Sequence, residues 1–190
     1  MQPQLHIVTA STRPGRKGPA VAEWIHGVAQ AHAGFKTSLV DLAEFSLPVY
    51  DEPEHPRTGK YLHEHTRRWS ASVSAADAFI FVTPEYNYGP PPSLLNALNF
   101  VYNEWNYKAA AFVSYGGMSG GMRAVEAIKQ TLTTLKVVPV LESVALPLFA
   151  QQLDENGRFQ AKPIHEEAAG LMLNELHKWS GALSALRRPA

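Results

Sequence analysis

The sequence predicts an α/β fold, a three-layer, doubly wound arrangement in which a five-stranded parallel sheet carries helices on both faces. Apolar runs of strand length alternate five times with segments whose apolar residues recur at helical spacing, which is the pattern of such a sheet. The 190 residues, with 45% hydrophobic and 18% charged content, match one ordinary globular domain with a sizeable core. We therefore expect a single domain over residues 1–190.

Local patterns in the first half of the chain indicate three strands and two helices. The strands are LHIVTA (5–10), FKTSLVDL (35–42) and AFIFVT (78–83). The first helix follows Pro19, a favourable first-turn residue, and its apolar face is Val21, Ile25, Val28 and His32. Residues 45–60 are rich in proline and charge and are expected to form a loop. The second helix then has a face formed by Leu62, His65, Trp69, Val73 and Ala76.

The second half continues the alternation. It comprises a helix over 93–105, the strand AAAFVS (109–114), a further helix, the strand VVPVLESVAL (137–146) and a closing helix over 171–186. The helix between the two strands has a face formed by Met122, Val125, Ile128, Leu132 and Leu135. Ligands of doubly wound sheets bind beyond the carboxyl ends of the strands, near the point where strand order reverses. We therefore expect function in the loops after the first, third and fourth strands.

Charge and composition exclude several classes of partner and chemistry. Lysine plus arginine equals aspartate plus glutamate at 17 each, so no overall field attracts nucleic acid or an anionic membrane. The N-terminus lacks an export signal, and no apolar stretch approaches the ~18 residues of a membrane span. We therefore expect a cytoplasmic protein. The absence of cysteine excludes thiolate phosphatases, dithiol redox chemistry and thiolate-held metals.

No metal site is expected either. The eight histidines are scattered, and the closest set in sequence is His55, His63 and His65. This set has neither a carboxylate in the pattern nor the i, i+4 spacing that places two imidazoles on one helix face. We interpret these histidines as surface residues.

The loop after the first strand has the composition of a phosphate site. Ser11 and Thr12 supply hydroxyl donors, and Arg13, Arg16 and Lys17 supply cations. Gly15 and Gly18 permit tight turns just before a helix N-terminus, where free backbone N–H groups favour an anion. The spacing matches neither a Walker loop nor the G-x-G-x-x-G fingerprint. The alternatives are a basic surface turn, or phosphate-ester hydrolysis, for which the usual cysteine nucleophile is missing.

The loop after the third strand is rigid and aromatic. Pro84 and the run Pro90, Pro91 and Pro92 fix their own φ and bias the preceding residues towards extended geometry, while Gly89 is expected to supply the turn. Tyr86 and Tyr88 flank Asn87, which offers flat apolar surface beside amide groups, as a planar heteroaromatic ring requires. Simple aromatic packing is the alternative.

The loop after the fourth strand, SYGGMSGGMRAVEAI (114–128), contains four glycines that let main chain approach a ligand closely. An electron-rich ring edge held against such donors is easier to reduce, because oriented dipoles meet the developing negative charge. The alternative is a flexible strand-to-helix connection. These residues alone do not distinguish a flavin from another phosphorylated aromatic ligand.

The chain resembles the NADPH-dependent FMN reductases of flavodoxin-like fold, which include quinone, azo-dye and chromate reductases. The resemblance covers nearly the whole chain and is carried, in order, by STRPGR, ADAFIFVTPEYNYGPP, LLNALNFVYNEW and SYGGMSGGMRAVEAIKQTL. It implies strand order 2-1-3-4-5 and bound FMN, with NADPH or NADH as co-substrate. It also implies a homodimer or homotetramer with the flavin near the subunit interface.

The resemblance also implies which residues hold the cofactor. The FMN phosphate would be surrounded by Ser11, Thr12, Arg13, Arg16, Lys17 and Gly18. The isoalloxazine ring would be lined by Pro84, Glu85, Tyr86, Asn87 and Tyr88. Its pyrimidine side would be approached by Ser114, Tyr115, Gly116 and Gly117. The chain departs from many relatives in having Leu95 and Asn99 where they have lysine and aspartate, and Arg16 and Lys17 where they have serine and asparagine.

The expected activity is a ping-pong oxidoreduction. A reduced nicotinamide stacks on the ring, passes hydride to flavin N5 and leaves, and a small acceptor then takes two electrons. The acceptor would be a quinone, free flavin, azo dye or metal oxyanion, and no side-chain acid or base is required. An electron carrier of flavodoxin type and a flavin-binding regulatory protein are the alternatives. The neutral charge argues against the carrier, because such proteins are as a class strongly acidic.

Overall fold

The computed structural model describes residues 2–187 and contains a five-stranded parallel sheet with strand order β2-β1-β3-β4-β5. The strands are β1 (Gln4–Thr9), β2 (Lys36–Asp41), β3 (Ala78–Pro84), β4 (Ala109–Tyr115) and β5 (Val138–Leu146). The sequence prediction of the fold and of all five strands is confirmed. Strand order reverses between β1 and β3, so the favoured ligand position is the carboxyl edge above these two strands.

Helices cover both faces of the sheet. They are α1 (Gly18–His32), α2 (Leu42–Phe45), α3 (Glu64–Ala75), α4 (Pro92–Phe100), α5 (Met122–Thr134) and α6 (Pro163–Ser184). Helices α1 and α6 pack in one hydrophobic cluster, and α3, α4 and α5 pack in the other. Side chains of β3 alternate between the clusters, with Ile80 and Val82 in the first and Phe79 and Phe81 in the second. The central strand is therefore buried on both faces, which explains its continuous apolar sequence.

Several boundaries differ from the predicted ones. Helix α6 begins at Pro163 instead of residue 171, and its first turn is fixed by the Lys162 N–H, which donates to Nδ1 of His165 over 3.1 Å. The third predicted helix ends at Phe100, and a separate 3₁₀ turn, Asn103–Trp105, follows it. The short helix α2 was not predicted, because its four residues are too few to show a period.

Two side-chain assignments are also wrong. Met122 was expected on the buried face of α5, but 56% of it is exposed because it is the first residue of the helix and lies beyond the end of the core. Leu62 was expected on the apolar face of the second helix, but it is 62% exposed because α3 begins two residues later, at Glu64.

A buried lysine joins α3 to the sheet at the edge opposite the carboxyl ends. Lys108 is 5% exposed, and its Nζ donates to the carbonyl oxygens of Val73 (2.7 Å) and Ser74 (3.3 Å), which belong to the last turn of α3. Burial lowers the pKa of Lys108 to about 8, with a further contribution from the nearby positive charge of Arg187. The ammonium thus occupies the position where a helix C-terminus favours positive charge.

Candidate functional site

A cavity of about 470 Å³ lies at the carboxyl edge of the sheet. Four loops enclose it, namely those after β1, β3, β4 and β5. Nine of the fifteen predicted site residues line it: Arg13, Arg16, Lys17, Pro84, Glu85, Tyr86, Tyr115, Gly116 and Gly117. The volume lies within the range of small-molecule and cofactor sites. The three loops singled out by sequence therefore meet at one cavity.

Ser11 and Gly18 form the base of the β1 loop. Ser11 is fully buried, and its Oγ accepts a hydrogen bond of 3.1 Å from the phenol of Tyr115 at the end of β4. A Cβ at Gly18 would lie 2.6 Å from Ser11 Oγ and 2.9 Å from Tyr115 Oη. A side chain at position 18 would therefore displace the Ser11 hydroxyl or the Tyr115 phenol, and it is the hydrogen bond between these two groups that joins the two loops.

The three cations of the β1 loop have different environments. Arg16 donates from Nη1 and Nη2 to the two carboxylate oxygens of Asp41, each over 2.5 Å, and from Nη1 to the Ser11 carbonyl over 2.8 Å. These bonds to Asp41 raise the pKa of Arg16. Arg13 and Lys17 are exposed, and within residues 2–187 neither has a carboxylate partner. Arg13 and Lys17 are thus the cations available to an anion.

Thr12 and the start of α1 complete this region. Thr12 is exposed and lines a separate depression of about 310 Å³ with Ser93 and Asn96, so the structure does not place it in the main cavity. Lys17 is the N-cap of α1 and makes no capping hydrogen bond through its side chain. The first turn of α1 therefore adds its dipole to the positive charges of Arg13 and Lys17.

The β3 loop folds into a two-residue hairpin. Tyr86 N–H donates to the Gly89 carbonyl (2.9 Å), and Gly89 N–H donates to the Tyr86 carbonyl (3.0 Å). Asn87 and Tyr88 have φ of 50° and 68°, which makes this a type I′ turn. The expectation that Gly89 supplies the turn is therefore wrong, because its φ is not positive. Asn87 and Tyr88 are exposed at the tip, outside the lining of the main cavity.

Glu85 joins the β3 loop to the β4 loop. Its carboxylate accepts from Ser119 Oγ (2.8 Å) and from the backbone N–H and Nη1 of Arg123 (both 3.2 Å). Burial by itself would raise the pKa of Glu85, but these hydrogen bonds outweigh it and leave the pKa below its usual value. The Arg123 guanidinium also lies 4.1 Å from the centre of the Tyr88 ring. The ionised carboxylate thus fixes the hairpin relative to α5.

The glycines of the β4 loop have separate roles. Gly120 and Gly121 have φ of 61° and 87°, and a Cβ at either would lie within 3 Å of backbone nitrogen. Ser114 is buried and donates to the Gly120 carbonyl over 2.8 Å. These contacts argue against the flexible-connection alternative. A Cβ at Gly117 would meet nothing within 4 Å, so the backbone at Gly117 is open to a ligand.

The loop after β5 also lines the cavity, and sequence reasoning missed it. Its contribution is Leu148, Phe149, Ala150, Gln151 and Leu153. The Leu148 N–H donates to the Gly117 carbonyl over 2.9 Å, and the Phe149 ring lies 4.8 Å from that of Tyr115. Only its position in the chain could have indicated this role. The loop follows the carboxyl end of β5, a parallel strand, and therefore lies at the same edge of the sheet as the other three loops. It has no glycine or charge pattern to mark it.

Tyr115 forms part of the inner wall of the cavity. It is 7% exposed, and burial raises the pKa of its phenol to about 12. The phenol is therefore neutral at physiological pH, and its proton is directed at Ser11 Oγ.

Two of the clustered histidines, His63 and His65, lie beside a carboxylate that the sequence pattern did not indicate. Asp51 accepts a hydrogen bond of 3.0 Å from His65 Nε2 and lies 3.8 Å from His63 Nε2. The expectation that no carboxylate accompanies these histidines is therefore wrong, because the loop before α3 folds back to bring Asp51 beside them. Within residues 2–187 no group of histidine and carboxylate side chains could hold a metal ion.

The cavity residues fit a phosphorylated planar cofactor. Arg13 and Lys17 provide unpaired positive charge at one side, while Pro84, Tyr86 and Phe149 provide apolar surface and Gly117 open backbone. Fold and site together define a class, that of flavodoxin-like proteins built to hold a phosphorylated aromatic cofactor above β1 and β3. Residues 3–151 match the family described as NADPH-dependent FMN reductase, and the chain belongs to that family. It is an NAD(P)H-dependent oxidoreductase with FMN as its cofactor.

Individual relatives agree with this family. The chain is 38% identical over 149 residues to an NAD(P)H-dependent FMN reductase of Schizosaccharomyces pombe, covering 76% of this chain and 74% of the relative. It is 31% identical over 139 residues to a quinone reductase of Pseudomonas putida, covering 68% and 69%. The fold matches the solved structure of FerB, a flavoenzyme NAD(P)H:(acceptor) oxidoreductase from Paracoccus denitrificans, with a TM-score of 0.73 and 18% identity over 95% of this chain and 98% of that one.

Proposed function

We propose that this chain catalyses ping-pong transfer of two electrons from NAD(P)H to a small planar or anionic acceptor, such as a quinone, free flavin, azo dye or metal oxyanion. The observation that carries the proposal is the single cavity at the switch point, lined by the loops after β1, β3, β4 and β5. When bound there, FMN supplies the hydride chemistry. Donor and acceptor would use one open face of the site in turn.

In this proposal the β1 loop binds the phosphate, through Arg13, Lys17 and the first turn of α1. Ser11 and Gly18 act indirectly, because both are buried under the loop and determine its position relative to Tyr115. Arg16 likewise acts through Asp41, which holds the loop to β2. The ring would lie against Pro84, Tyr86 and the backbone at Gly117.

The two most buried titratable groups of the cavity support a mechanism without side-chain acid or base. The Glu85 carboxylate is ionised and already accepts three hydrogen bonds. The pKa of Tyr115, about 12, keeps its phenol protonated, and Ser11 accepts that proton. The task left to the protein is to orient two planar partners and exclude water from their contact.

The test is reduction of the FMN-loaded protein by NADPH without oxygen, followed by addition of a quinone. We expect the visible flavin absorbance to bleach and then return, and initial rates to give parallel double-reciprocal lines. Joint replacement Arg13→Ala and Lys17→Ala should weaken FMN binding by roughly 2 kcal/mol or more. Lys36→Ala, at the opposite edge of the sheet, is the matched control and should bind FMN normally.

Absence of turnover with every quinone, flavin and dye offered would reject the enzyme activity and favour the electron carrier or the regulatory protein.

Within residues 2–187 no helix has the length and apolar character needed to cross a bilayer. Location in the cytoplasm stays a prediction.

A further inference from the structure

We propose that a second groove, beside the cofactor cavity, binds the phosphorylated adenosine half of NADPH, and that Arg158 recognises its 2′-phosphate. The inference rests on the proposed function, because it assigns a place to the far end of the same reducing substrate. The groove has a volume of about 550 Å³ and lies between α1 and a hairpin that follows the β5 loop. Sequence reasoning assigned it no role.

The groove is continuous with the cavity. Arg16 and Lys17 line both, so the two spaces meet at the β1 loop. A Cβ at Gly157, on the hairpin, would lie 3.8 Å from Lys17 Nζ, which places this ammonium at the boundary. One extended dinucleotide could therefore lie with its ring end in the cavity and its adenosine end in the groove.

The charge of the groove favours an anion. Arg158 and Lys17 are both exposed, and among residues 2–187 neither is paired with a carboxylate. Arg16 is neutralised by Asp41, and Glu23 is the acidic residue in the lining. In the FMN-loaded protein the proposed function engages Lys17 with the FMN phosphate, and the Glu166 carboxylate accepts from the Trp24 indole beside the groove. Arg158 is thus the cation of the lining that is left for a second anion, and it shares the lining with the carboxylate of Glu23. A guanidinium is well suited to a phosphate dianion, because its planar fork can donate two parallel hydrogen bonds.

The hairpin holds the backbone of Arg158 in place before any ligand arrives. The hairpin is closed by the bridge between Leu153 and Phe159, and Asp154 Oδ1 accepts from the N–H groups of Asn156 (2.9 Å) and Arg158 (2.8 Å). Gly157 has a φ of 76°, which the turn requires. A preformed hairpin reduces the entropy lost on binding, so a single side chain here can contribute strongly to affinity.

The opposite wall offers a flat apolar surface. Trp24 of α1 lines the groove, and its Nε1 donates to Glu166 over 2.7 Å. Its ring also contacts Phe159 edge-on, with 5.0 Å between ring centres. The indole is therefore fixed in orientation beside the two cations. An aromatic wall next to a phosphate-binding arginine matches a purine nucleotide better than it matches inorganic phosphate.

The test uses FMN-loaded protein and adenosine 2′,5′-bisphosphate as the probe, with binding measured by calorimetry and by tryptophan fluorescence. We expect the probe to bind and 5′-AMP to bind more weakly. Arg158→Ala should weaken probe binding about tenfold, as expected for loss of a charge-assisted hydrogen bond. The same variant should reduce the preference for NADPH over NADH in kcat/KM by a similar factor, with the loss falling on NADPH.

Three further variants sharpen the result. Arg158→Lys should retain part of the preference, and Glu23→Gln should strengthen probe binding. Lys36→Ala removes one positive charge far from the groove and should change nothing. Unchanged probe affinity and unchanged cofactor preference in Arg158→Ala would overturn the proposal. Because calorimetry needs no turnover, failure of the proposed oxidoreductase activity would be seen separately from failure of the groove to bind the probe.

Discussion

At the scale of single residues, the buried Lys108 makes the stability of the protein depend on pH. Its ammonium is buried against the C-terminal turn of α3, and its pKa is lowered to about 8. An unfolded lysine has a pKa of about 10.4. The native state therefore binds fewer protons than the unfolded state between these two values. The contribution of this group to stability is full above about pH 10.4 and is lost as the pH falls to about 8.

We predict that Lys108→Met removes this pH dependence. Relative to the variant, the wild-type protein should gain about 2 kcal/mol of unfolding free energy between pH 8 and pH 10. Urea unfolding at several pH values measures the difference, and using the difference cancels the titration of other lysines and tyrosines. A constant difference between the two proteins across this range would show that Lys108 keeps an ordinary pKa.

Two residue-level expectations show what sequence leaves open. Arg13, Arg16 and Lys17 look equivalent in the chain, yet only Arg16 pairs with Asp41, a residue of the neighbouring strand. That pairing depends on a long-range contact, which local spacing does not report. The hairpin turn was assigned to Gly89 because glycine adopts positive φ most easily, but Asn87 and Tyr88 adopt it instead. Hydrogen bonds and the Arg123 contact with Tyr88 offset that backbone strain.

At the scale of elements, the β4 loop contains two glycines that the fold requires, Gly120 and Gly121, and one, Gly117, that we propose approaches the cofactor. We predict that Gly121→Ala destabilises the protein by about 2 kcal/mol or more, because its φ of 87° disfavours a side chain and the new Cβ would lie 2.8 Å from Tyr115 N. Gly117→Ala should leave stability within about 0.5 kcal/mol, since a Cβ there meets nothing.

For FMN affinity, unlike for stability, we expect Gly117→Ala to have the larger effect of the two variants. Gly117→Ala should weaken FMN binding by about 1 kcal/mol or more, because the added methyl group occupies the space where backbone approaches the ring. Thermal unfolding of the apoprotein and FMN titration are the two measurements. Full FMN affinity in Gly117→Ala would show that the ring does not approach this backbone.

Prediction of secondary structure from sequence was correct for the elements that are buried along their whole length. It was wrong at the ends of helices, where part of the surface is exposed. The strands β3 and β4 are buried along their whole length, so their apolar runs are unambiguous. The first turns of α6 have an exposed face that includes Ile164, and the period was therefore visible only from residue 171 onwards. The β5 loop was missed because its contribution to the cavity depends on where the chain goes after the strand, and no local residue pattern encodes that.

For the whole molecule, the neutral net charge favoured an enzyme over an electron carrier, and the predicted fold class agrees with the observed one. The rhythm of strands and helices predicted the layers and placed three of the four site loops at one edge. The function was reached through particular motifs, since the same fold serves unrelated chemistries. The family match supports the activity, while the assignment of individual site residues stays a prediction.

Self-association is the prediction that belongs to this scale. We expect a homodimer or homotetramer with the surface around α4 as the contact. Leu95 on α4 is 41% exposed, and Val49 beside it is 89% exposed. The segment carrying Val49 is held to α4 because Asn96 accepts from the Tyr50 N–H over 3.1 Å. Leu95→Asp should lower the mass measured by light scattering, whereas Leu141→Asp on β5 should not. Equal masses for wild type and Leu95→Asp would exclude this surface.

The ion pair between Arg16 and Asp41 has a consequence for how the holoprotein is assembled. Because this pair and the Ser11 hydroxyl tie the β1 loop to β2 and to Tyr115, we expect the loop to keep its shape without the cofactor. Reconstitution would then be a docking event that requires no refolding. Apoprotein formed by loss of flavin on dilution should therefore take up FMN again directly.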